Sequence, residues 1–463
     1  MKKKLLITRR QAGLLLSGAT AAVSLPALSS GVLGNMPAPP HQAVIRHKLK
    51  VQKITIPLRG RDVGETELWS LDGSVEGPIL RANIGEICRI TVVNGSPFPL
   101  SLHWHGLRNS NAVDGFGGLT QKLIAPGRSY EYVFTPQEVC TCLIRPCVIG
   151  HTSELNGRGL TGLLIIEEKK KTPQFDYDLH ATISDWLLDG NGLLEPFQPG
   201  SPGRLGNLLT VKRSPPSFFY GVVPGKRIRI RLANACNARS MPLLFEHMDA
   251  WIVAVDGHPV KAFQPRRQSL PFAPGNRYEI VFDMPDSDED HIPAITAAIG
   301  DNIRLIHFKP DGPKVEKTPE PISTPPNLLL PEEIRLQDAF RFKIDLSVQP
   351  GKSGNTISSW AINGISGKKD IPPLFSVKSG TPVVLTIQNG TTYPQPLHIH
   401  GHCFRLLHNH DDGWDPFWMD ALQIPGNATV KLAFIAGSSG KWAIASTICE
   451  RFDTGLWGWF QVS

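Results

Sequence analysis

The sequence predicts an all-β chain of three consecutive antiparallel Greek-key β-sandwich domains, each of roughly 130 residues. Three observations carry that expectation. First, one unit recurs three times: a turn glycine, a β-rich run, and an asparagine nine residues after the glycine, at Gly85–Asn94, Gly225–Asn234 and Gly380–Asn389. A Pro-Gly turn and a second β-rich run follow each copy: Pro126-Gly127 before Tyr130–Phe134, Pro274-Gly275 before Tyr278–Phe282, and Pro425-Gly426 before Val430–Phe434. Second, the middle copy alternates Ile228, Ile230 and Leu232 with arginines, the period-2 pattern of a strand with one buried face. Third, 43 glycines and 40 prolines in 463 residues favour many short strands and turns over long helices.

In chain order, residues 1–31 read as an address. A lysine-rich start, Thr8-Arg9-Arg10-Gln11 and an apolar run from Ala12 to Leu25 match a twin-arginine export signal, which assigns the mature protein to the periplasm. That run is 14 residues long, short of the ~20 needed to span a bilayer, so no stable transmembrane segment is expected in the mature protein. Five of the basic residues behind the formal charge of +7 (Lys2, Lys3, Lys4, Arg9 and Arg10) lie in this segment. The remainder is near neutral, which argues against a nucleic-acid partner. Residues 45–170 form the first expected sandwich, and Lys169–Pro173 marks its end. Residues 171–309 form the second. Residues 310–331, with Pro313, Pro319, Pro321, Pro325 and Pro326, read as an extended semi-rigid linker, and 332–463 form the third.

The seven cysteines include a cluster, Cys140, Cys142 and Cys147. Its spacing does not make a zinc knuckle, because no second C-x-x-C pair exists. A local disulfide or buried thiols are the expected forms. The chemistry-bearing pattern is instead a pair of H-x-H arms, His103-Trp104-His105 and His398-Ile399-His400, closed by Gly106 and Gly401. Alternation on a strand puts both imidazoles of an arm on one face, and neutral imidazole is a ligand for copper and zinc. His408-Asn409-His410-Asp411-Asp412 reads as a solvated polar turn, and no G-x-S-x-G motif supports a hydrolase.

With these motifs in hand, the chain resembles the bacterial three-domain multicopper oxidases of the laccase, cuprous oxidase and bilirubin-oxidase type. The resemblance rests on Gly77-Pro78-Ile79, His103-Trp104-His105-Gly106, Asp114-Gly115, Gly118–Gln121 and Gly159–Gly162. It continues through Asp185-Trp186, Pro396–Gly401, Trp418-Met419-Asp420 and Asp453-Thr454-Gly455. It implies three cupredoxin-like domains, a three-copper cluster between the first and last, and a blue copper in the last. Only six methionines are present, so the methionine-rich segment of cuprous oxidases is missing.

Carried over residue by residue, the copper ligands of that family are depleted. The second histidine motif aligns with Cys140–Cys147, placing Arg145 and Cys147 at its two histidine positions; His151 nearby falls at a position that is not a ligand. The last motif reads Trp442–Arg451, with Ala445, Ser446, Thr447 and Arg451 at ligand positions and Leu456 at the axial place; Gln395 replaces another histidine. A blue site needs a cysteine thiolate and two imidazoles. Here those three places hold Ser446, Gln395 and Arg451. Arginine is permanently protonated and cannot ligate. At about 4 Å, in an effective dielectric of about 20, one unit charge repels another by roughly 4 kcal/mol.

What remains is His103 and His398, which match the two ligands of the family's single copper, and His105 and His400, which match one ligand on each copper of its coupled pair. Four converging imidazoles suit one copper ion, or zinc instead. The alternative is four hydrogen-bonded interface residues with no metal. Asp114 matches an acid that helps deliver protons in relatives. Two function classes follow. One is a binding or scaffold protein acting on a protein partner or small molecule, for which a copper-free, exported bacterial cell-division protein of the same fold is the precedent. The other is a copper-dependent oxidoreductase with altered, slow chemistry.

Overall fold

Each repeated unit folds into the same three-strand seam. Ile87–Val93 pairs in parallel with Val44–Lys50 and antiparallel with Ser129–Phe134. Arg227–Asn234 does the same with Tyr177–Trp186 and Arg277–Asp283. Pro382–Asn389 repeats it with Phe340–Pro350 and Thr429–Ile435. The sheets are therefore mixed, not purely antiparallel. A parallel pair needs a crossover, and in the first unit the chain makes it through Gln52–Ile56, Thr66–Ser70 and Ile79–Asn83 before returning. This computed structural model describes residues 43–168, 175–198, 202–316, 321–322, 324, 327–350, 357–368, 370–408 and 413–463. The export signal read at 1–31 and the Lys169–Pro173 boundary lie outside these residues.

The seams belong to three successive pairs of sheets, the cupredoxin-like β-sandwich pattern of an all-β chain. In the first pair, a four-stranded sheet carries Ile79–Asn83, Gly162–Glu167, Cys140–Pro146 and, at its edge, Leu102–His105. In the third pair, Gln395–Ile399 lies between Ala421–Ile424 and Gly440–Ser446. Each histidine arm thus lies on a strand of the sheet facing the seam sheet, His400 alone falling just past its strand's end.

The repeated asparagine has a physical reason. Asn94, Asn234 and Asn389 are each fully buried at the end of the central strand. The Asn94 amide donates to the carbonyls of Phe98 and Ile124, both at 2.8 Å. Asn234 donates to Arg239 and Phe272, and Asn389 to Tyr393 and Pro425. Each carbonyl oxygen accepts a backbone N–H two residues on, from Ser96, Cys236 and Thr391. One side chain therefore clamps the turn after its own strand to the segment before the Pro-Gly turn, satisfying backbone groups buried away from water.

The middle unit differs from its alternating pattern in one respect. Ile228, Ile230 and Leu232 are buried as expected, but so are the arginines Arg227 and, more completely, Arg231. Its strand packs a second face against the first sheet pair, where Arg231 bonds Thr141 at 2.8 Å and pairs with Glu279 and Asp178. The Pro-rich connector is strapped at several described points. Val315 donates to the Pro224 carbonyl, the Thr324 hydroxyl to Val260, and the Asn327 amide to Glu138. All seven cysteines are buried free thiols; the Cys140 and Cys142 sulfurs are 3.2 Å apart, well beyond the ~2.05 Å of a disulfide. Among the described residues, no helix is long and apolar enough to cross a membrane.

Replacing Asn234 by alanine strands two buried carbonyls and one N–H. A loss of roughly 2–4 kcal/mol is expected from these orphaned groups, read from the denaturant midpoint at constant slope. An unchanged midpoint would show the clamp to be dispensable.

Candidate metal centre

His103 and His105 stand on the strand Leu102–His105, and His398 stands on Gln395–Ile399. His400 falls one residue beyond its strand, in a turn set by Gly401 at φ +66°. A side chain at Gly401 would collide with the Trp442 ring at 2.0 Å, and one at Gly106 would meet the Arg277 guanidinium at 2.1 Å. Both arms end in glycine because no Cβ fits there. The turn after His400 is pinned by His402, a buried ring absent from the sequence reading. Its Nδ1 lies 2.8 Å from the His400 carbonyl, and its Nε2 accepts the Gly437 N–H.

The four rings predicted to converge lie together, all nearly excluded from water. Ring centroids are 3.7 Å apart for His105–His398, 4.0 Å for His103–His400 and 4.8 Å for His398–His400. They line a cavity of about 30 Å³. It has room for a water-sized species and none for an organic substrate.

Hydrogen bonding fixes how the rings are oriented. His103 Nδ1 lies 2.6 Å from the Asp114 carbonyl, and His398 Nδ1 lies 2.9 Å from the Asp420 carbonyl. A carbonyl oxygen only accepts, so both rings carry their proton on Nδ1. Their Nε2 atoms then present bare lone pairs to each other at 3.2 Å. Nothing between two such neutral rings holds them together; a cation would. Two nitrogens on a tetrahedral ion with bonds of about 2.0–2.1 Å stand roughly 3.3 Å apart, close to the observed separation. Protonation is the unfavourable alternative, since burial and then the neighbouring His400 hold the His103 pKa well below its ordinary value.

Three donors therefore suit one ion: His103, His398 and His400, with His400 Nδ1 held at 3.1 Å by the Asp114 carboxylate. Asp114 thus orients a ring as well as shaping its loop. His105 is aimed differently. Its Nε2 faces Asp420 Oδ1 at 3.2 Å, in a second triad of His105, His398 and Asp420 that shares His398 with the first. Metal-binding imidazoles are held through their other nitrogen in this way.

Asp420 belongs to a network the sequence reading did not assemble. Arg277 donates to both Asp420 oxygens, at 3.1 and 2.6 Å, with both side chains fully buried. Burial alone would raise the Asp420 pKa; Arg277, His105 and His398 outweigh it and hold the carboxyl well below the usual carboxylate range. Asp256 accepts the Asp420 and Ala421 N–H groups at 3.0 Å. The available signals were Asp420 in Trp418-Met419-Asp420 and Arg277 two residues after a repeated Pro-Gly turn.

The remaining predicted positions are filled by protein. Arg145 sits across the strand pair from His103 and donates from Nη2 to the Thr447 carbonyl and the Cys449 sulfur, at 3.1 and 2.9 Å. Arg451 donates from Nη1 to Gln395 Oε1 at 2.7 Å and to the Pro394 carbonyl, and from Nε to Pro202. Its guanidinium lies 4.6 Å over the Trp360 ring. Burial lowers the Arg451 pKa to about 10, so it stays charged at neutral pH. Gln395 in turn donates to Thr391, the Ser446 hydroxyl accepts the Ile448 N–H, and Leu456 is fully buried. A blue copper does not fit this group. The His151 ring packs at a tilt against Phe98, centroids 5.1 Å apart, outside the cavity lining. In the 408–412 run, residues 409–412 lie outside the described residues.

Family models described as multicopper oxidase match residues 50–171, 200–307 and 341–463. Laccase-1 of Cryptococcus neoformans var. grubii is 24% identical, covering 84% of this chain and 76% of that protein. Cell division protein FtsP of Xenorhabdus nematophila is 24% identical, covering 90% of this chain and 89% of that protein. The crystal structure of a multicopper oxidase from Pseudomonas thermotolerans superposes with a TM-score of 0.80, at 23% identity, covering 91% of this chain and 100% of that one, a likeness of fold.

Arg277→Met removes one partner of a buried pair and leaves the Asp420 charge uncompensated. A cost of about 3–5 kcal/mol is expected, measured by equilibrium unfolding. A loss below about 1 kcal/mol, the scale of an exposed pair, would contradict the role given to Arg277.

Proposed function

The chain belongs to the multicopper oxidase family, and from that premise we propose that it works as an exported, periplasmic binding or scaffold protein rather than a four-copper oxidase. It carries at most one metal ion, copper or zinc, at His103, His398 and His400, with His105 turned toward Asp420. The observation that carries the metal reading is the pair of lone pairs facing each other between His103 and His398. When bound, such an ion supplies a Lewis-acidic, and for copper a one-electron, centre. The protein's own residues orient the rings through Asp114 and Asp420 and leave the cavity room for no more than a water-sized species.

The observation that favours binding over oxidation is Arg451. Its guanidinium, hydrogen-bonded to Gln395, takes the place where the family resemblance puts the blue copper. Without a thiolate and imidazoles there, electrons from a substrate have no entry point. A relative named a cell division protein matches this chain as extensively as the laccases do. That likeness supports the same reading, with an unidentified protein or a small molecule as the partner. The twin-arginine motif supports export of a folded chain.

The test is metal binding. Protein stripped with a chelator and dialysed against copper(II) or zinc is expected to retain a single ion per chain, and His398→Ala, which removes the ring shared by both triads, none. Four coppers per chain would overturn the proposal. No retained metal in the unmodified protein would remove the metal site and leave the scaffold reading.

A further inference from the structure

We propose that the cavity between the two histidine arms is also a binding site for one small inorganic anion, a halide or a compact oxyanion, held by Arg145 and Thr447. The inference needs no metal and stands on how the charges and donors around the cavity are spent.

Arg145 lines the cavity and is 7% exposed. Arg277 shows how a buried guanidinium is normally satisfied: its five N–H groups make five hydrogen bonds, to Thr141, Gly275, Asp256 and both oxygens of Asp420. Arg145 is different. Both of its hydrogen bonds come from Nη2 and go to neutral acceptors, a carbonyl and a thiol. Among the described residues, no carboxylate forms an ion pair with it, and neither Nε nor Nη1 makes a hydrogen bond, though neither atom is fully closed off from water.

The nearby acids are committed elsewhere. The Asp114 carboxylate is held on His400. Asp453 accepts the backbone N–H groups of Gly150, Thr152 and Ser153. Cys449 does not supply the charge either, because burial keeps its thiol up at about 12, despite Arg145 alongside. An uncompensated buried charge is strongly destabilising. Water would solvate this guanidinium without neutralising it; an anion does both.

A second, independent feature lies at the same cavity. Thr447 is 2% exposed and lines the cavity, yet its hydroxyl is buried with no hydrogen-bond partner. Buried hydroxyls are rarely left so. Arg145 and Thr447 line one small cavity and together offer a donor set for an anion, and about 30 Å³ limits the occupant to a single compact ion, the anion standing there when the metal does not.

Bromide replaces chloride in the direct test. Crystals of the full chain grown with chelator, so that no metal carries the halide, are soaked in sodium bromide, and anomalous diffraction is recorded at the bromine edge. A peak in the cavity beside the Arg145 guanidinium and Thr447 Oγ1 is expected. In solution, with the same chelator, the melting temperature should rise saturably with chloride, bromide or nitrate relative to gluconate at matched ionic strength. Comparing the halides with nitrate tells a spherical from a planar preference. Arg145→Met should abolish the rise, and the near-isosteric Thr447→Val should weaken the apparent affinity at least about tenfold. A variant that lost only packing would melt lower but keep its anion response. No anomalous peak in the cavity, or an equal response to every anion, would overturn the proposal.

Discussion

The guanidinium of Arg277 is the constraint on which the site depends. It is fully buried and joins all three sheet pairs at one point: the Thr141 carbonyl of the first, the Gly275 and Asp256 carbonyls of the second, and the Asp420 carboxylate of the third. Asp420 then faces His105, and its backbone carbonyl fixes the tautomer of His398. The distance from a structural ion pair to the rings of the candidate site is therefore one residue. The same guanidinium explains Gly106, where any side chain would occupy its space. Both arms are held in register by a middle sheet pair that contributes no ring to the site.

The substitutions around the arms follow one electrostatic logic. Where the family resemblance calls for imidazole, the chain has Arg145 at the cluster and Arg451 beside Gln395. Each is anchored by hydrogen bonds to carbonyls on neighbouring segments. Arg451, stacked on Trp360 and bonded to Gln395, forms a packed polar cluster of its own. A fixed cation at a few ångströms opposes a divalent ion by several kcal/mol, so refilling those positions would require undoing the packing.

Much of the fold was legible in sequence because a repeat exposes its own rule. The glycine-to-asparagine spacing marked each central strand, and the asparagine proved to be the clamp of each unit. The parallel strand of each seam was not legible, since strand direction leaves no mark on a period-2 pattern. Arg231 misled for a related reason: an arginine in an alternating strand reads as solvent-facing, and its burial depends on Glu279 and Thr141 arriving from other strands. At the site, the four histidines could be picked from their H-x-H spacing. The aim of each ring depended on backbone carbonyls and on Asp420, placed by long-range contacts that no local pattern encodes. His105 shows the difference: its strand follows from the spacing, while its hydrogen bond to Asp420 does not.

The central claim is that one metal position survives and that the electron-entry site has been replaced by a hydrogen-bonded arginine. The visible absorption spectrum of the copper-loaded protein tests this most directly. The account predicts only the weak bands of a nitrogen-ligated copper, with no intense copper–thiolate absorption, because the cysteines are buried thiols and Arg451 and Gln395 are hydrogen-bonded to each other where the proposal puts the lost blue site. An intense blue band would mean that a thiolate binds copper after all, and would contradict it.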